Sequence, residues 1–272
     1  MTTSIVDFMS NAQESLFDKL HGEYEAHYDD RFSQAYRIAL VLSEIAQLID
    51  ANVKSAGAIL EIASGTGVNL TIPKHLVEDD RKFEWWGNDL STEMQKSFAV
   101  RHSQNHLIRG DITCLNISAP RTFSVIFVLG GMHHMTKNFD ALFENISKLL
   151  AVDGMLIFVE PNKWFLNSVR RLWYKLDRRF DAENEAAIDP FSLFETYGSS
   201  FELHSLRFFG GPGFFVINNS MILRIPKVVK KILTKILIRF DLLYSRFQSK
   251  YVLPAFICVW KRKDGLRVPT PN

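Results

Sequence analysis

The sequence holds only two cysteines, Cys114 and Cys258, in 272 residues. So sparse a supply excludes a disulfide framework and a cysteine-built tetrahedral metal site, and it suits a reducing compartment. Nowhere do 18 apolar residues follow one another, so no transmembrane helix is expected. Met1 to Ser10 carry Asp7 and lack a basic cluster ahead of an apolar run, which argues against a secretory leader. Internal repeats, a G-x-S-x-G elbow and a Walker loop are also lacking. His21 and His27 stand apart from the other histidines, no ligand set assembles around them, and no metal is expected.

An excess of one charge is missing too, but only on average. The net charge is +2, while Arg224 to Lys250 holds eight Lys and Arg against one Asp, or +7, leaving −5 for the rest. A nucleic-acid binder would be basic more widely, so no nucleic-acid partner is expected and the positive charge belongs to one element.

What is present is an alternation of short apolar runs with helix-like stretches, the pattern of βαβ units and a mostly parallel sheet. The runs are Ala58–Ile62, Phe83–Gly87, His106–Arg109, Phe123–Leu129 and Gly154–Val159, with helical stretches over Asn69–Val77, Thr92–His102 and Asn138–Leu150. Tyr24 to Val53 reads as a helical preface, from the spacing of Ile38, Val41, Leu42, Ile45, Leu48 and Ile49. Two later strands are expected at Leu203–Phe209 and Leu253–Trp260. The chain is read as one elaborated α/β domain, with a helical cap over 1–53, a βαβ core over 54–161 and a second half over 162–272.

After the first strand comes Leu60-Glu-Ile-Ala-Ser-Gly-Thr-Gly67. In open α/β sheets ligands bind at the carboxyl ends of strands, where glycines let backbone come close. Gly65 and Gly67 suit that task, although a plain tight turn would use them equally well. Leu70 stands where a dinucleotide fingerprint needs its third glycine, which weakens a nicotinamide reading. The second strand leads to Asp89, able to accept two ribose hydroxyls, and the third to Asp111, able to accept an adenine amino group. Either aspartate could alternatively be a helix cap. Together with the glycine loop, the three strand ends carry what a nucleoside needs.

The sequence here resembles the class I S-adenosylmethionine-dependent methyltransferases, particularly the small-molecule branch typified by quinone-biosynthesis C-methyltransferases. The resemblance rests on Glu61-Ile-Ala-Ser-Gly-Thr-Gly67, Asp89-Leu-Ser-Thr-Glu-Met94, Gly110-Asp111-Ile112 and Leu129-Gly-Gly-Met-His-His134. It implies a Rossmann-like sheet of seven strands in the order 3-2-1-4-5-7-6, with strand 7 antiparallel and a helical insertion between strands 6 and 7. It implies S-adenosyl-L-methionine as cofactor, held by Glu61, Ala63, Ser64, Gly65, Thr66, Gly67, Asp89, Leu90, Met94, Gly110, Asp111, Ile112, Leu129 and Gly130. Tyr28 and Arg31, with Tyr24, resemble the stretch that closes over the methionyl end. Ala63 replaces the first glycine of the family's loop.

For catalysis, His133 and His134 lie on the rim that the family turns toward its acceptor, and an imidazole titrates near neutral pH; family position favours His134, and a structural role for either is the alternative. Trp164, Phe165, Trp173, Phe208, Phe209, Phe214 and Phe215 suggest an apolar pocket for the acceptor, or plain core. Over Lys227–Phe247, Val229, Ile232, Ile236, Phe240, Leu243 and Phe247 recur at helical steps, with Lys227, Lys230, Lys231 and Lys235 largely on the other side, joined lower down by Arg239 and Arg246. Such a helix either covers the sheet and acceptor site or rests on an anionic membrane surface. The expectation is methyl transfer, O-methylation favoured, to a small hydrophobic or lipid-linked acceptor, in the cytoplasm or peripherally on the inner face of a membrane. Ring C-methylation of a quinone, and a non-catalytic membrane-associated scaffold, are the competing readings.

Overall fold

The computed structural model describes residues 5–103, 106–114, 122–166, 187–221 and 223–263, with side chains from residue 14 onward. Seven strands form one sheet: β1 (Gly57–Ile62), β2 (Phe83–Asp89), β3 (Leu107–Arg109), β4 (Phe123–Leu129), β5 (Leu150–Pro161), β6 (Phe201–Phe209) and β7 (Ala255–Arg262). Their order is β3-β2-β1-β4-β5-β7-β6, with β7 antiparallel to both of its neighbours and the strands from β3 to β5 parallel.

The central strands read as nearly unbroken apolar runs because both faces of the sheet are covered. Successive side chains alternate between two cores. Leu60, Ile62, Ile126, Val128, Leu156, Phe158, Cys258 and Trp260 point to one. Ile59, Val125, Phe127, Met155, Ile157, Ile257 and Val259 point to the other. Helices α6 (Phe139–Leu149) and α7 (Pro190–Tyr197) contribute Leu142, Phe143, Ile146 and Leu193 to the first core. Helices α2 (Arg31–Arg37) and α3 (Ser43–Asn52), joined by a π-helical turn over Ile38–Leu42, contribute Tyr36, Leu40, Leu42, Ile45 and Ile49 to the second. Helices α4 (Val68–Leu76) and α5 (Thr92–Arg101) follow β1 and β2.

Ahead of the periodic stretch from Tyr24, the region read as a helical cap holds a helix of its own. Helix α1 runs from Ile5 to Tyr28, and polar contacts hold it on α5: Asp18 accepts hydrogen bonds from the Ser91 hydroxyl (2.5 Å) and the Glu93 amide (3.1 Å), and His21 bonds the Ser97 hydroxyl (2.7 Å). These contacts lay α1 along the carboxyl edge of the sheet, where Phe17 meets the His134 ring edge-on at 5.3 Å.

Helix α8 (Lys227–Tyr244) shows a different orientation from the one a lid would need. Lys230, Thr234 and Asp241 are its buried residues, whereas Val228, Ile232, Ile236, Phe240 and Leu243 are exposed, as is Phe247 just beyond it. The inward face mixes half-buried Leu237 and Ile238, packed on the second core, with charges that find partners there: Lys230 pairs with Asp30, and Asp241 accepts from the Tyr36 hydroxyl at 2.6 Å. Trp173 and the rest of 167–179 lie outside the described residues.

Candidate active site

Strand β1 leads directly into the loop Ala63–Gly67, three of whose residues adopt left-handed backbone: Ala63 at φ 54°, Gly65 at 53° and Gly67 at 80°. For the two glycines this is unstrained; for Ala63 it costs about 1 kcal/mol, the penalty of a Cβ in that region. The Ala63 methyl is accommodated by its neighbour across the rim. A Cβ on Gly131 would stand 2.6 Å from that of Ala63, so the residue after Gly130 has to lack one.

Asp89, at the end of β2, is the brace of this loop. Its Oδ2 accepts from the Gly65 amide at 2.7 Å and its Oδ1 from the Ser91 amide at 2.9 Å. It is not the cap of α5; Ser91 is, accepting from the Met94 amide at 3.2 Å. Burial pushes the Asp89 carboxyl up to about 6, against the pull of those backbone hydrogen bonds. Met94 is buried and Leu90 half-buried beside it. Asn88 ties the next strand in place by donating to the carbonyls of Ile108 and Gly110, both at 3.0 Å. Asp111 follows there and uses Oδ1 to accept from the Thr113 amide (2.8 Å) and hydroxyl (2.7 Å), a local turn of the kind expected from a cap. Ile112 is buried in the first core.

Beneath the loop lies a second acid. Glu61 is fully buried, and neither carboxylate oxygen has a hydrogen bond of normal geometry; the Ser64 hydroxyl is likewise buried without one. Burial holds the Glu61 carboxyl well above the usual carboxylate range, with Asn69 and the Arg37 charge offsetting only part. Arg37 is the basic residue of this cluster. It donates to Asn69 Oδ1 and to the Tyr28 carbonyl, and its guanidinium lies 4.5 Å from the centre of the Tyr28 ring. Burial raises the Tyr28 hydroxyl, the charge of Arg37 opposing and those of Glu61 and Glu160 adding. Tyr28 therefore stands within electrostatic reach of both the β1 loop and the end of β5. Arg31, by contrast, is exposed and covers the Phe32 ring; it does not join the cluster.

The two histidines follow β4 in a short 3-10 turn, Met132–His134, with their rings 4.0 Å apart. Leu129 is half-buried and Gly130 exposed, the latter at φ 68°. Glu160, buried near the end of β5, ties this turn together. Its Oε1 accepts from the amides of Gly131 (3.0 Å) and Met132 (2.7 Å), and its Oε2 faces His133 Nδ1 at 2.8 Å. A carboxylate there fixes the proton on Nδ1 and leaves the basic lone pair on Nε2. Sequence reasoning missed Glu160 and Arg37. The signal for Glu160 was an acid directly after an apolar strand, one residue short of a proline; Arg37 sat unremarked on the same helical face as the apolar residues of the preface.

The structure thus gathers Tyr28, Glu61, Ala63–Gly67, Asp89, Leu90, Met94, Gly110, Asp111, Leu129, Gly130, His133 and His134 along the carboxyl edge of β1 to β4. Among the described residues no cluster of His, Cys, Asp and Glu could hold a metal ion.

A family model described as a methyltransferase domain matches residues 59–154. No curated protein matches the sequence. Among solved structures, the magnesium protoporphyrin IX methyltransferase of Synechocystis, with bound SAH, is similar at a TM-score of 0.59 and 11% identity, over 93% of this chain and 99% of that one. The structure of DhpI in complex with SAH is similar at 0.54 and 14% identity, over 94% and 98%. At such identities the likeness is one of fold. Residues 59–154 thus match a methyltransferase domain, and the strand order β3-β2-β1-β4-β5-β7-β6 is that of the Rossmann-like methyltransferase fold.

Proposed function

We propose that this chain transfers a methyl group to the hydroxyl oxygen of a small, apolar acceptor, with His133 as the base and Glu160 as the residue that positions it. The observation that carries the reading is the Glu160–His133 contact at 2.8 Å, set beside a donor loop whose buried polar atoms lack partners.

The residues fit the cofactor on chemical grounds. A fully buried carboxylate without hydrogen bonds is costly unless a cation or donors complete it, and Glu61 would receive the ammonium end of the methionyl group. Asp89 would accept the ribose hydroxyls, having lone pairs beyond those given to Gly65 and Ser91, and Asp111 with Ile112 would border the adenine. The SAH bound in the two structural relatives supports this assignment. When bound, S-adenosylmethionine supplies an electrophilic methyl group on a positively charged sulfur.

The chain's own part is placement and proton removal. Holding acceptor and methyl group in attack geometry supplies effective molarities on the order of 10⁵ M. His133 Nε2 takes the hydroxyl proton as the oxygen attacks, and the Glu160 carboxylate stabilises the resulting imidazolium. An apolar acceptor is supported by Phe165, Phe214 and Phe215, whose rings pack together with centroids 5.4 and 5.7 Å apart. They stand at the same sheet edge as Glu160, because Pro161 pairs with Ala255 and Ala255 with Phe209.

Radiolabelled methyl transfer to extracted hydrophobic metabolites tests the reading. His133→Ala should lower turnover on the order of 10²-fold with donor affinity intact. Glu160→Gln should lower kcat more than it changes KM and should shift the acidic limb of the pH–rate profile, a readout that a purely structural role would leave unmoved. Equal turnover in wild type and His133→Ala would remove the base from the mechanism.

A further inference from the structure

Helix α8 carries its apolar stripe outward. Val228 is 68% exposed, Ile232 and Ile236 65% each, and Phe247, just past the helix, 74%. Phe240 and Leu243 continue the stripe, and Tyr251 and Val252 extend the exposed apolar surface beyond it. This is no misplaced core face. The opposite side of the helix is anchored by the Lys230–Asp30 pair, by Asp241 holding the Tyr36 hydroxyl and the amides of Gly213 and Phe214, and by Leu237 and Ile238 packed on the second core. The outward orientation is therefore fixed by these inward contacts.

Charge selects the occupant. Of the eight Lys and Arg in the segment, only Lys230 is buried; Lys227, Lys231, Lys235 and Arg239 are exposed on the helix and Arg246 just beyond it. The segment's one acid, Asp241, is buried. At 100° per residue, Lys227, Lys231, Lys235 and Arg239 form a row directly beside Val228, Ile232, Ile236 and Leu243. Adjacent cationic and apolar rows on one exposed helix face match the layered chemistry of an anionic lipid surface, where apolar side chains enter the acyl boundary and cations meet headgroups. A second copy docking through the same face would set cations against cations. No helix among the described residues is long and apolar enough to cross a membrane, so the contact is with the surface.

We propose that the protein docks on anionic lipid bilayers through the outward face of α8 and the Phe247–Val252 segment that follows. The inference does not rest on the reading of the active site. The test is sedimentation of the full chain with vesicles of phosphatidylcholine, with and without phosphatidylserine. Binding is expected only to the anionic vesicles and should fall with salt. The triple variant Lys231→Gln/Lys235→Gln/Arg239→Gln should lose about fivefold in partitioning per charge, on the order of 10² in all. Ile232→Ser/Ile236→Ser should weaken binding at least tenfold. Both variants alter exposed residues, and an unchanged circular dichroism spectrum certifies their fold. Absence of wild-type binding to anionic vesicles, or binding that both variants retain in full, overturns the proposal. A wild-type dimer in gel filtration that Ile232→Ser/Ile236→Ser dissociates, without vesicle binding, assigns the face to a second copy and overturns it as well. Titration of S-adenosylmethionine into vesicle-free protein reports separately on the donor site.

Discussion

Two buried polar clusters in this molecule are built from the same residue types and finished differently. Where α8 meets α2, Asp30 accepts from the Ser33 amide and hydroxyl at 3.2 and 3.1 Å and pairs with Lys230, which also donates to Ser33 and Ser220. Beneath the β1 loop, Glu61 is more deeply buried still, and neither of its oxygens has a hydrogen bond of normal geometry. Burial raises the Asp30 carboxyl, but Lys230 and Ser33 outweigh it and bring it below its ordinary value, whereas Glu61 and Asp89 are raised. A completed cluster holds the fold together; on the function proposed above, the uncompleted one receives the donor. Asp241 shows that direction alone is not the criterion: burial raises it too, yet it has three donors.

Four experiments sharpen or break this contrast. The largest effect should come from the completed cluster: Lys230→Ala strands a buried carboxylate and should cost about 3 to 5 kcal/mol of stability, read from urea unfolding, with little change in donor affinity per folded molecule. Next, Asp89→Asn should weaken donor binding about tenfold to a hundredfold in titration calorimetry, the value of a hydrogen bond to a charged acceptor. Wild-type affinity should also fall as pH drops through about 6, up to tenfold per unit, because the protonated carboxyl accepts less well; the asparagine variant should lack that limb.

The sign for stability is opposite in the two clusters. Asp89, raised when folded, binds a proton between about pH 4 and 6 that the unfolded chain has already released, so its contribution to stability declines as pH rises through that window. Asp30, lowered when folded, contributes stability at neutral pH that is lost as pH falls below its unfolded value. Glu61→Gln is the third experiment: it should leave the unfolding midpoint no lower than in wild type while weakening donor binding, whereas a purely structural Glu61 would lose stability and keep its affinity. The smallest effect lies in the loop. Ala63→Gly should relieve about 1 kcal/mol of backbone strain, and Gly131→Ala, destabilising alone, should be tolerated in the Ala63→Gly background, a coupling that a double-mutant cycle measures.

Much of the scaffold was legible because burial on both faces leaves unbroken apolar runs: β4 falls on Phe123–Leu129 as read, and α8 begins at Lys227. The strand order came from the family resemblance, since pairing partners leave no mark on a single sequence. Before Tyr24 the helical cap showed no periodicity of its own, because α1 lies on the molecule through polar contacts such as Asp18 with Ser91, which make no apolar stripe. The direction of α8 was illegible for a related reason. Its stripe marked one face as distinct, but only the partners of Lys230 and Asp241, on α2 and before β7, decide which face turns inward. At the site, acids at strand ends could be seen, whereas the pairing of Glu160 with His133 depends on the turn after β4 meeting the end of β5, its neighbour in the sheet.

The tie between Lys230 and α2 has a bearing on how the chain is made. Ser33 and Lys230 bond across 197 positions of sequence, so during synthesis the beginning of the polypeptide leaves the ribosome long before its counter-ion does. Until then Asp30 keeps only its local cap on Ser33. Contacts of such long range are the slow ones to form, and the final docking of α2 against α8 must wait until α8 has been made.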